Sequence, residues 1–214
     1  AVHIAAEEFR EKILSMHSRI TGISSDDLTI AEGKIKEINN ISNGISLAEF
    51  VKSVPAEDTQ MSSQGKTLSV QSEFNSTHMT YPYGIHLVVT RIDKDCAAIE
   101  LERMVVAYDV GRAINPLLIE GQIVGGAAQG IGGALLEEFV YDEGMQPLAT
   151  SFMDYLLPTI TELPHIELLL REDAPSGTNP LGIKGAGEGG ITAVGAAVAA
   201  AVDDALGRTE SVNQ

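Results

Sequence analysis

The chain has 214 residues, with 14 Lys plus Arg against 30 Asp plus Glu, so its formal net charge is −16. That balance excludes a nucleic-acid partner or an anionic membrane surface, both of which need a basic face. At 44% hydrophobic and 21% charged residues it has the composition of a folded globular protein rather than a disordered one. Aromatics are 5% and Trp is absent, so the core must be aliphatic. One cysteine, Cys96, rules out an internal disulfide framework and an iron–sulfur cluster held by four thiolates of this chain. The charged residues Glu7, Glu8, Arg10, Glu11 and Lys12 break up the opening segment, which is unlike a secretory signal. The longest near-apolar run, Ile191 to Val202, falls short of the roughly 20 residues needed to cross a bilayer. A reducing, cytoplasmic setting is therefore expected, and the sequons at Asn40 and Asn75 are read as chance.

In chain order, Ala5, Phe9, Ile13, Met16 and Ile20 recur at helical spacing, which predicts an amphipathic helix over Val2 to Thr21 stopped by Gly22. Residues 28–30 and 34–38 alternate around Glu32-Gly33 and predict a hairpin. Ser46-Leu47-Ala48-Glu49 is a capping box that opens a short helix. Pro55 to Gln64 is polar and expected to be loop. Strands are expected over Lys66 to Phe74, His86 to Asp93 and Ala97 to Val106, the last two as an antiparallel hairpin. Asn115-Pro116 marks a helix start, and the helix is expected to run through Leu117 to Phe139. A further strand is expected over His165 to Leu170, a glycine- and proline-rich loop over Asp173 to Gly190, and a buried helix over Thr192 to Leu206. The order implies an α+β fold with an antiparallel or mixed sheet and packed helices. It divides into a helix-and-hairpin lead-in, residues 1–54, and a core, residues 65–207.

Two segments carry chemistry. The helix after Asn115 holds Gly121, Gly125, Gly126, Gly130, Gly132 and Gly133, each costing about 1 kcal/mol of helix propensity relative to Ala. So many glycines mean that another helix or a ligand approaches the backbone closely. Gln122 and Gln129, seven residues apart, lie on one face of that helix. The second segment, Gly185-Ala186-Gly187-Glu188-Gly189-Gly190, matches G-x-G-x-x-G in form. A dinucleotide site needs a strand directly before it and a second strand after the helix, and neither is expected here, so NAD binding is rejected. The turn could instead offer free N–H groups to a phosphate at a helix N-terminus. Glu188 is either a carboxylate favoured by the helix dipole or a general base. The five histidines show no paired metal-binding spacing, and His86, within a strand, is read as packed or hydrogen-bonded. Gly65-Lys66-Thr67 lacks the upstream glycine of a phosphate-binding loop.

Taken together, the segments Tyr81-Pro82-Tyr83-Gly84-Ile85-His86, Asp109-Val110-Gly111-Arg112-Ala113-Ile114-Asn115-Pro116, Glu120-Gly121-Gln122, Gln129-Gly130-Ile131-Gly132, Asp154-Tyr155-Leu156-Leu157-Pro158-Thr159, Asn179-Pro180-Leu181-Gly182 and Lys184-Gly185-Ala186-Gly187-Glu188 resemble, in order and spacing, the C-terminal part of the molybdenum-binding subunit of the xanthine oxidase family. That family includes xanthine dehydrogenases, aldehyde oxidoreductases and aerobic carbon monoxide dehydrogenases. The resemblance implies a molybdenum hydroxylase in which the pterin dithiolene holds the metal, with no protein ligand to it. It implies that Glu188 is the base that takes a proton from a molybdenum-bound hydroxyl, and that a dry glycine-lined pocket raises its pKa. It further implies that Gln122 hydrogen-bonds the cofactor, with Gly121, Lys184, Gly185, Ala186 and Gly187 as further cofactor contacts. Asp109 and Asn115-Pro116 are architectural in this reading, and the start of the last helix helps hold the pyrophosphate.

The implied cofactor is molybdopterin with molybdenum, in the cytosine dinucleotide form. The [2Fe–2S] clusters and FAD are expected on other chains or segments. The chain is several times shorter than a complete molybdenum subunit. The implied partners are therefore the remaining half of that subunit, iron–sulfur and FAD subunits, and a small-molecule substrate such as an aldehyde or N-heterocycle. Alone, the chain is expected to retain cofactor poorly and to be inactive. Competing readings are a non-catalytic scaffold of the same fold and a generic phosphate-ligand module.

Overall fold

A computed structural model describes residues 1–62 and 65–207. The chain divides into two compact units, Ala1–Asn75 and Ser76–Gln214.

The first unit opens with α1, Val2–Thr21, ended by Gly22 at φ 79°, whose N–H bonds the Ser18 carbonyl. The left-handed end is the reason a glycine stands there. Strands β1 (Leu28–Ala31) and β2 (Lys34–Glu37) pair antiparallel with Ile30 opposite Ile35. Glu32 and Gly33 join them at φ 52° and 72°, a two-residue turn with both central residues left-handed, which suits the strand twist. Strand β3 (Asn40–Ser46) adds to β2, and α2 (Leu47–Ser53) follows through the full capping box between Ser46 and Glu49. Ile13, Leu14, Met16, Leu28, Ile35, Phe50 and Val54 form the core of this unit. The expected loop over residues 55–64 carries a short strand, β4 (Gln60–Ser62), paired with β5 (Gly65–Thr67). Ser63 and Gln64 lie outside the described residues.

The strand expected over Lys66 to Phe74 stops at Thr67. Beyond it the alternation of half-buried and exposed side chains continues with no strand partner among the described residues. The ribbon is held against α1 instead: the Lys12 ammonium donates to the Ser69 carbonyl at 3.0 Å, and the Ser72 hydroxyl to Glu8. Period two marks any extended segment lying on a surface, not only a sheet member.

The second unit is built on a mixed three-stranded sheet. β6 (Tyr83–Ile92) runs antiparallel to β7 (Ile99–Asp109), and β8 (His165–Arg171) joins β7 in parallel. The inner face carries Val88, Met104, Val106, Tyr108, Ile166, Leu168 and Leu170 against Ile123, Ala127 and Ile131 of α3 (Pro116–Leu135) and Val194 and Val198 of α4 (Val194–Ala205). Asn115 caps α3 by accepting from the Leu118 N–H at 3.3 Å, and Pro116 fills the first turn.

Three expectations change. Helix α3 ends at Leu135, four residues before Phe139, because the Leu136 and Glu137 N–H groups both return to the Gly132 carbonyl. The chain then folds back over Gly132, where a β-carbon would lie 2.8 Å from Pro158. Helix α4 is buried along one side only, at Val194 and Val198, whereas Gly195, Ala196 and Ala200 are exposed. Small apolar side chains tolerate water at little cost, so apolarity alone did not locate the buried face. The glycines of α3 also separate into two sets. A β-carbon on Gly126 would touch Gly190, and one on Gly130 would strike Val194 at 2.6 Å, while Gly121, Gly125 and Gly133 face open space. Close approach of α4 explains Gly130, and that of the loop before it explains Gly126.

Candidate active site

The site is assembled by the loop between β8 and α4. Asn179 folds its first half: its amide donates to the Ile183 carbonyl at 2.9 Å and accepts from the Ile183 N–H at 3.0 Å. The Lys184 N–H then bonds the Val110 carbonyl at 2.9 Å, pinning the loop beside the end of β7. Gly111 stands there at φ 71°, where any β-carbon would sit 2.2 Å from the Gly182 carbonyl oxygen. The Lys184 ammonium meets Asp109 Oδ1 at 3.0 Å, both side chains being more than nine-tenths buried, and lies 4.3 Å from the centre of the Tyr83 ring.

Asp109 is saturated. Oδ1 also accepts from the Gly111 N–H at 2.9 Å, and Oδ2 accepts from the N–H groups of Asp173 (2.9 Å) and Ala174 (3.1 Å). Burial opposes ionisation of this carboxyl, but the Gly111 donor, the lysine and the two further N–H groups outweigh it and hold its pKa below the ordinary value. Asp109 is thus the knot that ties β7, the end of β8 and the glycine loop together. The cation of Lys184, expected among the cofactor contacts, is directed into this knot.

The second half of the loop, Gly185 to Gly190, closes over β7 and α3. A β-carbon on Gly189 would strike the Tyr108 ring at 2.2 Å, and one on Gly190 would strike the Ile123 carbonyl at 2.1 Å. These glycines are there because the turn is wedged between a tyrosine ring and a helix backbone. By contrast, a side chain at Gly185 or Gly187 would meet nothing within 4 Å. A cavity of about 460 Å³ opens on that side, lined by Gly185, Gly187, Glu188, His86, Tyr108 and Thr192 among others.

Gln122 reaches this loop from α3. Its Nε2 donates to the Gly187 carbonyl at 2.7 Å, so the two motifs that stand 65 residues apart meet one residue from Glu188. Among the described residues the Gln122 oxygen and the second Nε2 hydrogen have no protein partner, and the side chain is exposed. Glu188 is exposed as well, and its carboxylate has no hydrogen bond or ion pair among the described residues. The dry pocket expected around it is therefore not made by the described residues. Replacing Gln122 by Ala removes one hydrogen bond, worth about 0.5–1.5 kcal/mol. We expect amide exchange to accelerate by about one order of magnitude at Gly185 to Gly189 and to stay unchanged in β1 to β3.

Part of the helix start is closed to a phosphate. The Ile191 and Thr192 N–H groups bond the Glu188 carbonyl, and the Val194 N–H bonds Ile191. The turn before α4 keeps these three donors for itself, so they are not open to a phosphate. His86 was not singled out as a site residue by its sequence context, yet it lines the cavity. Both ring nitrogens are buried and make no bond of good hydrogen-bond geometry among the described residues, although the Gly190 backbone stands close to the ring. Burial pushes its pKa down, opposed by the Gly190 backbone. The legible signal was its position two residues after Gly84 on one strand face, opposite Val106.

Residues 1–164 match the molybdopterin cofactor-binding domain family. The chain belongs to that family. As a molybdopterin cofactor-binding domain it is 41% identical over 206 residues to the 6-hydroxypseudooxynicotine dehydrogenase complex subunit gamma of Paenarthrobacter nicotinovorans, covering 96% of this chain and 26% of that one. Among solved structures it matches quinoline 2-oxidoreductase from Pseudomonas putida 86 with a TM-score of 0.76 at 34% identity, over 94% of this chain and 26% of that chain. It matches the Cu,Mo-CO dehydrogenase with a TM-score of 0.77 at 28% identity, over 95% and 25%. The domain therefore spans about a quarter of the length of the relatives it matches. These relatives are oxidoreductases or their subunits, and the α+β fold with its mixed sheet is shared with them. Among the described residues no group of three or more His, Cys, Asp or Glu could hold a metal ion, and no helix is long and apolar enough to cross a membrane.

Proposed function

We propose that this domain is the base-bearing, pterin-contacting part of a molybdenum hydroxylase that oxidises a small molecule with water-derived oxygen. The observation that carries this reading is the Gln122–Gly187 hydrogen bond, which ties the amide to the residue before Glu188 on the wall of the cavity. The residues fit a bound cofactor. His86 has two buried polar atoms with no bond of good hydrogen-bond geometry among the described residues, Gln122 has an unused donor and acceptor, and Gly185 and Gly187 leave open space on the cavity side. A buried unsatisfied nitrogen is costly, about 1–3 kcal/mol, and a polar ligand group that hydrogen-bonds it would offset that cost.

When bound, the molybdenum cofactor supplies the two-electron oxidation. Glu188 accepts a proton on a carboxylate oxygen from the hydroxyl that is to be transferred, then releases it to water. Gln122 hydrogen-bonds the cofactor through its free amide atoms while its Nε2 steadies Gly187. Gly121, Gly185, Ala186 and Gly187 let the cofactor approach the backbone, and Lys184 acts by anchoring the loop to Asp109. We assign the cofactor the cytosine dinucleotide form, [2Fe–2S] clusters and FAD to partner chains or segments, and the rest of the molybdenum subunit to sequence outside these 214 residues. The substrate class is a nitrogen heterocycle or aldehyde. The name quinoline 2-oxidoreductase supports the former.

The test is elemental and pterin analysis of the complete subunit assembled with its partners. Molybdenum and a pterin near one per copy are expected. A complete assembly containing neither would overturn the proposal and leave a scaffold role in its place.

A further inference from the structure

The outer face of the β6–β7–β8 sheet is built against the usual rule. A solvated sheet face alternates to polar residues. Here the outward positions of β6 are Ile85, Leu87 and Val89, exposed at 63%, 60% and 50%. Register places Ile85 beside Ala107 and then Leu169, and Leu87 beside Val105. Leu169 is itself 47% exposed. The apolar patch is bordered by ion pairs. From Val89 onward the same face turns ionic: Arg103, opposite Val89, pairs at 2.6 Å with Glu167, which stands beyond Val105 in the Leu87 row, and Arg91 pairs with Glu100 and Glu102. The apolar surface of β6 and Leu169 lies between these pairs and Arg171, which pairs with Asp173 at the Tyr83 end.

We propose that the apolar end, centred on Ile85, Leu87 and Leu169, is where the remainder of the molybdenum subunit docks. This rests on the reading that the domain works within such a subunit. Three observations choose this occupant. The matched relatives carry about three quarters of their length outside the segment aligned to this chain. A second copy is disfavoured because each copy carries a net charge of −16, and like charges repel on close approach. The patch also starts at Tyr83, which lines the cavity that holds Glu188, so the docked segment borders the site. The occupant is an aliphatic or aromatic surface that leaves Arg91 and Arg103 in water.

The test uses the complete, assembled protein in a Cys96→Ser background. Leu87→Cys is expected to react with a maleimide at least about tenfold more slowly than Arg91→Cys, as the buried centre of an interface differs from its rim, and both should react alike in urea. A photocrosslinking amino acid in place of Leu87 should give crosslinks to sequence outside residues 1–214. Equal labelling rates, or crosslinks to a second copy of this same segment, would overturn the proposal. Molybdenum content measured on the same sample keeps the two readings apart. An assembly that protects Leu87→Cys but holds no molybdenum or pterin refutes the cofactor role and leaves the docking surface standing.

Discussion

Glu188→Gln should lower kcat of the assembled enzyme by about 10²–10⁴-fold while leaving molybdenum and pterin content unchanged, since that is the usual contribution of a positioned general base. The substitution is close to isosteric and removes only the capacity to take a proton. It disturbs no contact of the fold, because the carboxylate makes no hydrogen bond among the described residues and the loop is held by Glu188's backbone carbonyl instead. Paired assays of turnover and metal content therefore separate chemistry from assembly. A variant that keeps more than a tenth of wild-type kcat would remove Glu188 from the role of base. One that loses both activity and molybdenum would make Glu188 a cofactor-holding residue instead.

Asp109→Ala is expected to destabilise the second unit by about 3–5 kcal/mol, the usual result of removing one member of a buried ion pair and leaving the other uncompensated. Lys184 would keep a buried ammonium, and the Gly111, Asp173 and Ala174 N–H groups would lose their acceptor. Lys184→Met should cost less, because Asp109 retains three backbone donors. Adding Lys184→Met to Asp109→Ala should recover part of the loss. Urea midpoints of the four proteins form the cycle, and a change below about 1 kcal/mol in Asp109→Ala would show that the pair does not hold the loop.

The same residue sets an acid limit. The folded-state pKa of Asp109 lies below its ordinary value of 3.8, so its stabilisation is complete above the ordinary carboxylate range. That stabilisation is lost as pH falls through the folded value. Unfolding in acid should thus shift to higher pH in Asp109→Ala.

Much of the architecture was legible because local rules and tertiary structure agree. The α1 span, the Ser46 capping box, the Glu32-Gly33 turn and the Asn115-Pro116 start are all local signals, and each stands where its residues place it. The departures share one cause. The ribbon after Thr67, the end of α3 and the exposed side of α4 are settled by what the segment packs on, which periodicity does not encode. The G-x-G-x-x-G form misleads in the same way. Its glycines at 189 and 190 answer to Tyr108 and Ile123, contacts separated in sequence by 81 and 67 positions. At the site, order and spacing of motifs pointed to Gln122 and Glu188 together. The bond from Gln122 to Gly187 needed the fold, and so did the role of Lys184, whose charge is turned toward Asp109. His86 escaped because a lone histidine in a strand has no sequence signature of being unpartnered.

The parallel pairing of β8 with β7 joins strands separated by residues 110–164. A parallel pair cannot close through a tight turn, so this unit must bring distant segments together before it gains from their contact, and such topologies fold slowly. The loop that carries Glu188 follows β8 and is fastened to Asp109, 75 positions earlier. During synthesis from the N-terminus, α3 and the β6–β7 hairpin can form early, whereas the carboxylate reaches its place only after the crossover is complete. Glu188 is among the last parts of the unit to be installed, and a chain interrupted before that point carries Gln122 with nothing to hold.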